Sequence, residues 1–71
     1  MNKETLETYF NLQNFVYSGM LDSTHKHNAF DSMRELKASH PELKQVSSAF
    51  FDWEIRGADY PEISDFLHLV A

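Results

Sequence analysis

The stretch that decides the fold is FFDWEIRG, residues 50–57. Its apolar side chains fit two periods: Phe51, Trp53 and Ile55 alternate with charged residues as in a strand, whereas Phe50 and Trp53 continue a helical stripe. A strand would need a partner to satisfy its backbone, and no other segment alternates cleanly over five or more residues. We therefore predict a helix that ends at Gly57, whose lack of a side chain suits a helix stop.

Two matching segments predict where the last two helices begin. SHPEL (residues 39–43) and DYPEI (residues 59–63) each combine a capping residue, an aromatic ring, a proline, a glutamate and an aliphatic residue. The Ser or Asp oxygen can accept from the amide three residues later, and the glutamate can reach back to the cap. Proline is tolerated in a first helical turn. The pattern places the third helix from about His40 and the fourth from about Tyr60.

Apolar residues recur at helical spacing along four segments of the chain. The stripes are Leu6, Tyr9, Phe10, Gln13, Val16, Tyr17 and Met20; Ala29, Phe30, Met33 and Leu36; Leu43, Val46, Ala49, Phe50 and Trp53; and Ile63, Phe66, Leu67 and Val70. The first helix spans residues 3–21, and Asp22, Ser23 and Thr24 are candidate caps for the second. We predict one all-α domain over residues 1–71, a small bundle of three helices plus a short C-terminal fourth helix.

The composition limits the classes of function. The chain has no cysteine, which removes disulfides, thiol chemistry and cysteine-ligated zinc. No apolar run is long enough to span a membrane, and the N-terminal residues lack the apolar core of a signal peptide. We expect no membrane association and a cytoplasmic protein. Two glycines cannot build a phosphate-binding loop, and His25 and His27 would point apart on a helix. We expect neither an enzyme, nor a cofactor, nor a metal site.

The charge distribution bears on the partner. The net charge is −5, and residues 41–71 hold six acidic residues against Lys44 and Arg56. Nucleic-acid affinity depends on clustered Lys and Arg side chains, and no such cluster occurs along the sequence. We therefore do not expect nucleic-acid binding. A helix-turn-helix DNA-binding regulator, built on the second and third helices with Lys44 and Gln45 exposed, is an alternative that the charge opposes.

Two apolar pairs fall outside the predicted stripes. Leu12 and Phe15 lie on the first helix, and Phe51 and Ile55 lie roughly 150° from the stripe centre on the third. One interpretation is that a small bundle buries more than one side of each helix, with the fourth helix covering Phe51 and Ile55. The other is that at least one pair stays exposed and forms an interface, because contiguous exposed apolar patches mark partner sites.

These pairs lead to the predicted function. We expect a small non-catalytic protein-binding module or regulator that acts as a homodimer and binds another protein with a basic surface. Leu12, Phe15, Phe51 and Ile55 are the candidate contacts, and an acidic rim of Asp52, Glu54 and Asp59 is expected to tune specificity. An alternative is an acidic inhibitor that occupies the basic, nucleic-acid-binding groove of another protein through electrostatic complementarity.

Overall fold

The computed structural model describes residues 1–18 and 23–70. The described residues form three α-helices, α1 (Lys3–Ser18), α2 (Ser23–Ser39) and α3 (Lys44–Arg56), with a 3₁₀ turn at Pro41–Leu43 and a C-terminal 3₁₀ helix at Ile63–Leu69. No strand occurs among these residues, so the predicted all-α bundle with a short fourth helix is confirmed. The predicted end of the first helix, with Met20, and the candidate cap Asp22 lie outside the described residues.

The quoted stretch is the C-terminal half of α3 followed by Gly57. Gly57 takes a left-handed conformation, with φ 74° and ψ 21°, and its N–H donates to the Asp52 carbonyl. Glycine takes this conformation without the steric cost, about 1–2 kcal/mol, that a Cβ would impose. The helical interpretation and the predicted stop at Gly57 are both confirmed.

The predicted capping box before α3 is wrong. Ser39 is the last residue of α2, and the chain leaves the helical conformation at His40, with φ −134° and ψ 81°. The cause is Pro41, because a proline ring disfavours the helical conformation of the residue before it. Neither His40 nor Leu43 caps the following turn through its side chain, and Glu42 Oε1 lies 3.7 Å from His40 Nδ1.

The C-terminal helix also begins later than predicted. It starts at Ile63 rather than near Tyr60, and the N–H of Glu62 donates to Asp65 Oδ2 at 3.2 Å. A 3₁₀ helix has three residues per turn, so positions 63, 66 and 69 share one side. Phe66 is accordingly buried, whereas Leu67, which a 3.6-residue period places on the inner side, is 45% exposed.

The core lies where α1 meets α2, α3 and the C-terminal 3₁₀ helix. Its buried members all come from the predicted stripes: Leu6, Tyr9, Met33, Leu43, Val46, Phe50 and Phe66. The Phe10 ring lies 5.4 Å from the Phe50 ring and 6.3 Å from the Phe66 ring, centroid to centroid. Phe10 thereby links α3 and the C-terminal segment to the first helix.

A short polar chain crosses this core between α1 and α3. Ser47 Oγ donates to Gln13 Oε1 at 3.4 Å, and it also shares a hydrogen bond with the Tyr9 hydroxyl. Burial raises the pKa of Tyr9, and the bond with Ser47 partly opposes that rise. Tyr9 and Gln13 lie on α1 and Ser47 lies on α3, so these hydrogen bonds set the register of α1 against α3.

An aromatic cluster joins the end of α3 to the segment after it. The Trp53 ring lies 5.9 Å from Tyr17 and 4.7 Å from Tyr60, both in edge-to-face geometry. Tyr60 also contacts Phe50 edge-on and donates a hydrogen bond to Asn14 Oδ1 on α1. Phe50 is fully buried and Trp53 is half-buried, so both belong to the protein's own core as predicted.

Candidate functional site

The third-helix pair remains exposed. Phe51 is 51% exposed and Ile55 is 63% exposed, one turn apart on α3. The C-terminal 3₁₀ helix therefore does not bury them, and the interpretation in which it covers both is wrong. Their exposure is what an interface requires, while the interface itself stays a prediction.

The first-helix pair is divided by the fold. Leu12 is half-buried and packs against the core, whereas Phe15 is 51% exposed. Of the two, Phe15 is thus the side chain that is largely exposed. Phe15 is also absent from the lining of the groove that contains Phe51.

That groove, which we call the aromatic groove, opens between α1, α2 and α3. It has a volume of about 700 Å³, with Phe30 from α2 and Phe51 from α3 on its walls. Gln13 and Met33 are buried and form its floor. This size is within the range of sites that hold small ligands in other proteins.

Phe30 is the groove residue that sequence reasoning missed. The sequence places it on the buried face of the second helix, with Ala29 and Met33. Ala29 and Met33 are buried, but Phe30 is 47% exposed. It follows Ala29 by 100° around the helix, which puts it at the edge of the stripe. Its position at the edge of the stripe is the signal in the sequence that is compatible with exposure.

The three predicted acidic residues do not form one rim. Asp52 lines the aromatic groove, and its Oδ1 lies 3.7 Å from Nε of Arg56. Glu54 lines a smaller groove of about 390 Å³ beside it, together with Tyr17. Burial, a hydrogen bond with Glu54 and the charge of Glu54 raise the pKa of Tyr17. Asp59 is exposed and lines neither groove.

Gln45 bears on the helix-turn-helix alternative, and the histidines bear on metal binding. Gln45 is exposed, as a DNA-reading third helix would require, and its Oε1 lies 3.2 Å from Nε2 of His68. His27 lies 3.6 Å from Asp31 on the same helix. Within residues 1–18 and 23–70, no three His, Asp or Glu side chains are grouped to hold a metal ion.

Comparison with known proteins assigns no family. Searches of protein-family models, of curated proteins and of solved structures each found no match. Among the described helices, none has both the length and the apolar character needed to cross a bilayer.

Proposed function

We propose that this chain is a small non-catalytic protein-binding module whose contact surface is the aromatic groove together with Ile55. The observation that carries the proposal is the exposure of three large apolar side chains, Phe30, Phe51 and Ile55, at and beside one groove. Exposed apolar patches of this kind mark interaction sites, and phenylalanine is enriched at the buried centres of interfaces.

The helical scaffold suits this role because it holds the contacts rigidly. Phe51 and Ile55 follow the fully buried Phe50 on α3, and the bonds of Ser47 fix α3 against α1. Preorganised side chains lose little conformational freedom on binding, which favours affinity. Met33 anchors the α2 wall from inside the core, next to the exposed Phe30.

Self-association stays a prediction. The protein exposes 4757 Å², and a folded monomer of its mass is expected to expose about 4,600 Å². A dimer is therefore not required to complete the core, although Phe51 and Ile55 offer it an apolar contact. Sedimentation at micromolar concentration tests this directly, since a dimer through this face would dissociate on substitution of Ile55 by Asp.

An acidic inhibitor of a basic groove is the second candidate. Its support is the group of exposed carboxylates after α3, namely Asp59, Glu62 and Asp65. Such a surface would bind a partner with a basic surface, as predicted from the charge distribution. Reversing Asp59 and Glu62 to Lys would weaken that complex and leave one formed through the aromatic groove intact.

Site-specific photo-crosslinking tests the proposal. A photo-reactive phenylalanine analogue would replace Phe30, Phe51 or Ile55, and in a matched control Asn11, which is exposed on α1. In cells that naturally make the protein, the three groove positions are expected to give the same discrete adduct, and the control none. Equal labelling at all four positions, or no adduct at any of them, would refute the proposal.

A further inference from the structure

The fold gathers cations that are scattered along the sequence. The aromatic groove and the smaller groove beside it share Gln13, Tyr17 and Phe30. Their linings include four of the chain's six Lys and Arg side chains, at positions 26, 34, 37 and 56, and two of its eleven carboxylates. The rest of the chain thus carries nine carboxylates and two cations. An acidic protein thus has much of its positive charge concentrated around the exposed rings of Phe30 and Phe51.

These cations keep donors for a partner. Arg34 lies 3.8 Å from Asp31, and Arg56 lies 3.7 Å from Asp52, through one nitrogen each. Both arginine side chains are more than 70% exposed, and such surface pairs are weak. A guanidinium has five N–H donors, so most of them remain unused by these pairs. Lys37 has no ion pair within the described part of the chain and lines the same groove.

We propose that the aromatic groove binds an acidic peptide segment of a partner protein, one that carries a large apolar side chain. This inference rests on the proposed function and adds the chemistry of the partner. The apolar side chain would pack between Phe30 and Phe51, while carboxylates on either side of it would meet Arg34 and Lys37. Charge complementarity around an apolar centre is the usual arrangement of a specific interface.

A single-stranded nucleic acid could also use aromatic rings and cations. The charge outside the grooves disfavours it, because a polyanion extends beyond four cations and meets the surplus of carboxylates on the remaining surface. A short acidic peptide ends before it reaches that surface. The groove is therefore matched to a compact anion-bearing chain rather than to a long one.

Fluorescence anisotropy tests the inference with three labelled probes. They are a short peptide of Glu and Leu with one central Phe, the same peptide with Gln for every Glu, and single-stranded oligo(dT). The acidic peptide is expected to bind about tenfold more tightly than its Gln counterpart at low salt. Raising the salt should reduce that difference, since the screening length falls from about 30 Å at 0.01 M to about 8 Å at 0.15 M.

Matched variants assign the binding to the groove. R34Q/K37Q is expected to weaken the acidic peptide about tenfold, whereas K3Q/K44Q removes the same charge from exposed positions outside the groove and should have little effect. Phe51→Ala should weaken binding and Phe15→Ala, at an equally exposed ring, should not. Circular dichroism confirms that each variant is folded.

The outcomes separate the two proposals. Equal binding of the Glu and Gln peptides, or equal effects of the two charge variants, overturns the proposal of an acidic partner. The proposal of a protein-binding module would still hold in that case if Phe51 forms the expected crosslink. Tighter binding of oligo(dT) overturns it in favour of nucleic acid. A homodimer that dissociates in R34Q/K37Q shows that a second copy occupies the groove, which also overturns it. The protein-binding proposal fails separately, through absence of crosslinks at the groove positions.

Discussion

The Ser47 hydroxyl is the best point at which to test the packing of α1 against α3. Ser47→Ala would leave the fully buried Tyr9 hydroxyl without its partner, which costs about 1–3 kcal/mol. The Gln13 contact is long, at 3.4 Å, and Gln13 borders the groove, so its loss adds little. Alanine in place of serine within α3 returns about 0.5 kcal/mol of helix propensity. The expected net loss is about 0.5–2.5 kcal/mol.

Thermal unfolding followed by circular dichroism measures this loss. For a domain of this size, the net loss corresponds to a fall in Tm of about 2–20 °C. Ser48→Ala is the matched control, since the neighbouring serine is exposed on the same helix, and it should raise stability by about 0.5 kcal/mol. Adding Tyr9→Phe to Ser47→Ala removes the orphaned hydroxyl and should restore part of the loss. Equal stabilities of the Ser47 and Ser48 variants would refute the reasoning.

Two further predictions concern pH and the end of α3. Burial raises the pKa of the Tyr9 hydroxyl above its ordinary value of 10.0, so its contribution to stability is complete below pH 10 and is lost as the pH rises through the raised pKa. When the pH is raised above 10, the free energy of unfolding measured in urea should fall less for Tyr9→Phe than for the wild type. An equal fall in the two proteins would contradict this. Gly57→Ala should destabilise by about 1 kcal/mol through backbone strain alone, because no atom lies within 4 Å of a Cβ there. Gly57→Asn should cost less in the same assay, since asparagine tolerates the left-handed conformation.

The helical identity of residues 50–56 could be predicted because two independent constraints agree. The alternating pattern of Phe51, Trp53 and Ile55 fits a strand locally, but a strand without a partner leaves its backbone unsatisfied. Gly57 marks the stop because its backbone can turn where other residues are strained. Local periodicity alone did not decide the structure, and the backbone requirement did.

Helix starts were harder to predict because one residue pattern supports two registers. Pro41 is compatible with a first helical turn, yet it also ends the previous helix at Ser39 by excluding His40 from helical geometry. In the second segment the capping pattern lies three residues later than predicted, with Glu62 at the N-cap and Asp65 at the third helical position. The choice between registers depends on the burial of Leu43 and Phe66, which local sequence does not specify.

Only part of the candidate site could be predicted, because the neighbouring helices decide which side chains of a helix are buried. Phe51 and Ile55 lie far from their stripe and stay exposed, as a helix with one buried face requires. Leu12 lies outside its predicted stripe yet is half-buried, and Phe30 lies at the edge of its stripe yet is exposed, because the placement of the neighbouring helices decides the burial of such positions. The gathering of Arg34 with cations from other helices depends on helix packing, so charge counted along the chain could not reveal it.

The chain's single tryptophan makes the packing of its aromatic cluster observable without a label. Trp53 contacts Tyr17 on α1 and Tyr60 beyond Gly57, so its emission should shift when either element undocks. Excitation of the two tyrosines at these distances would be transferred to the indole in the native protein and lost on separation. Since Tyr17 also lines both grooves, the same signal should respond when a partner fills them. The fold thus contains its own optical reporter of folding and of binding.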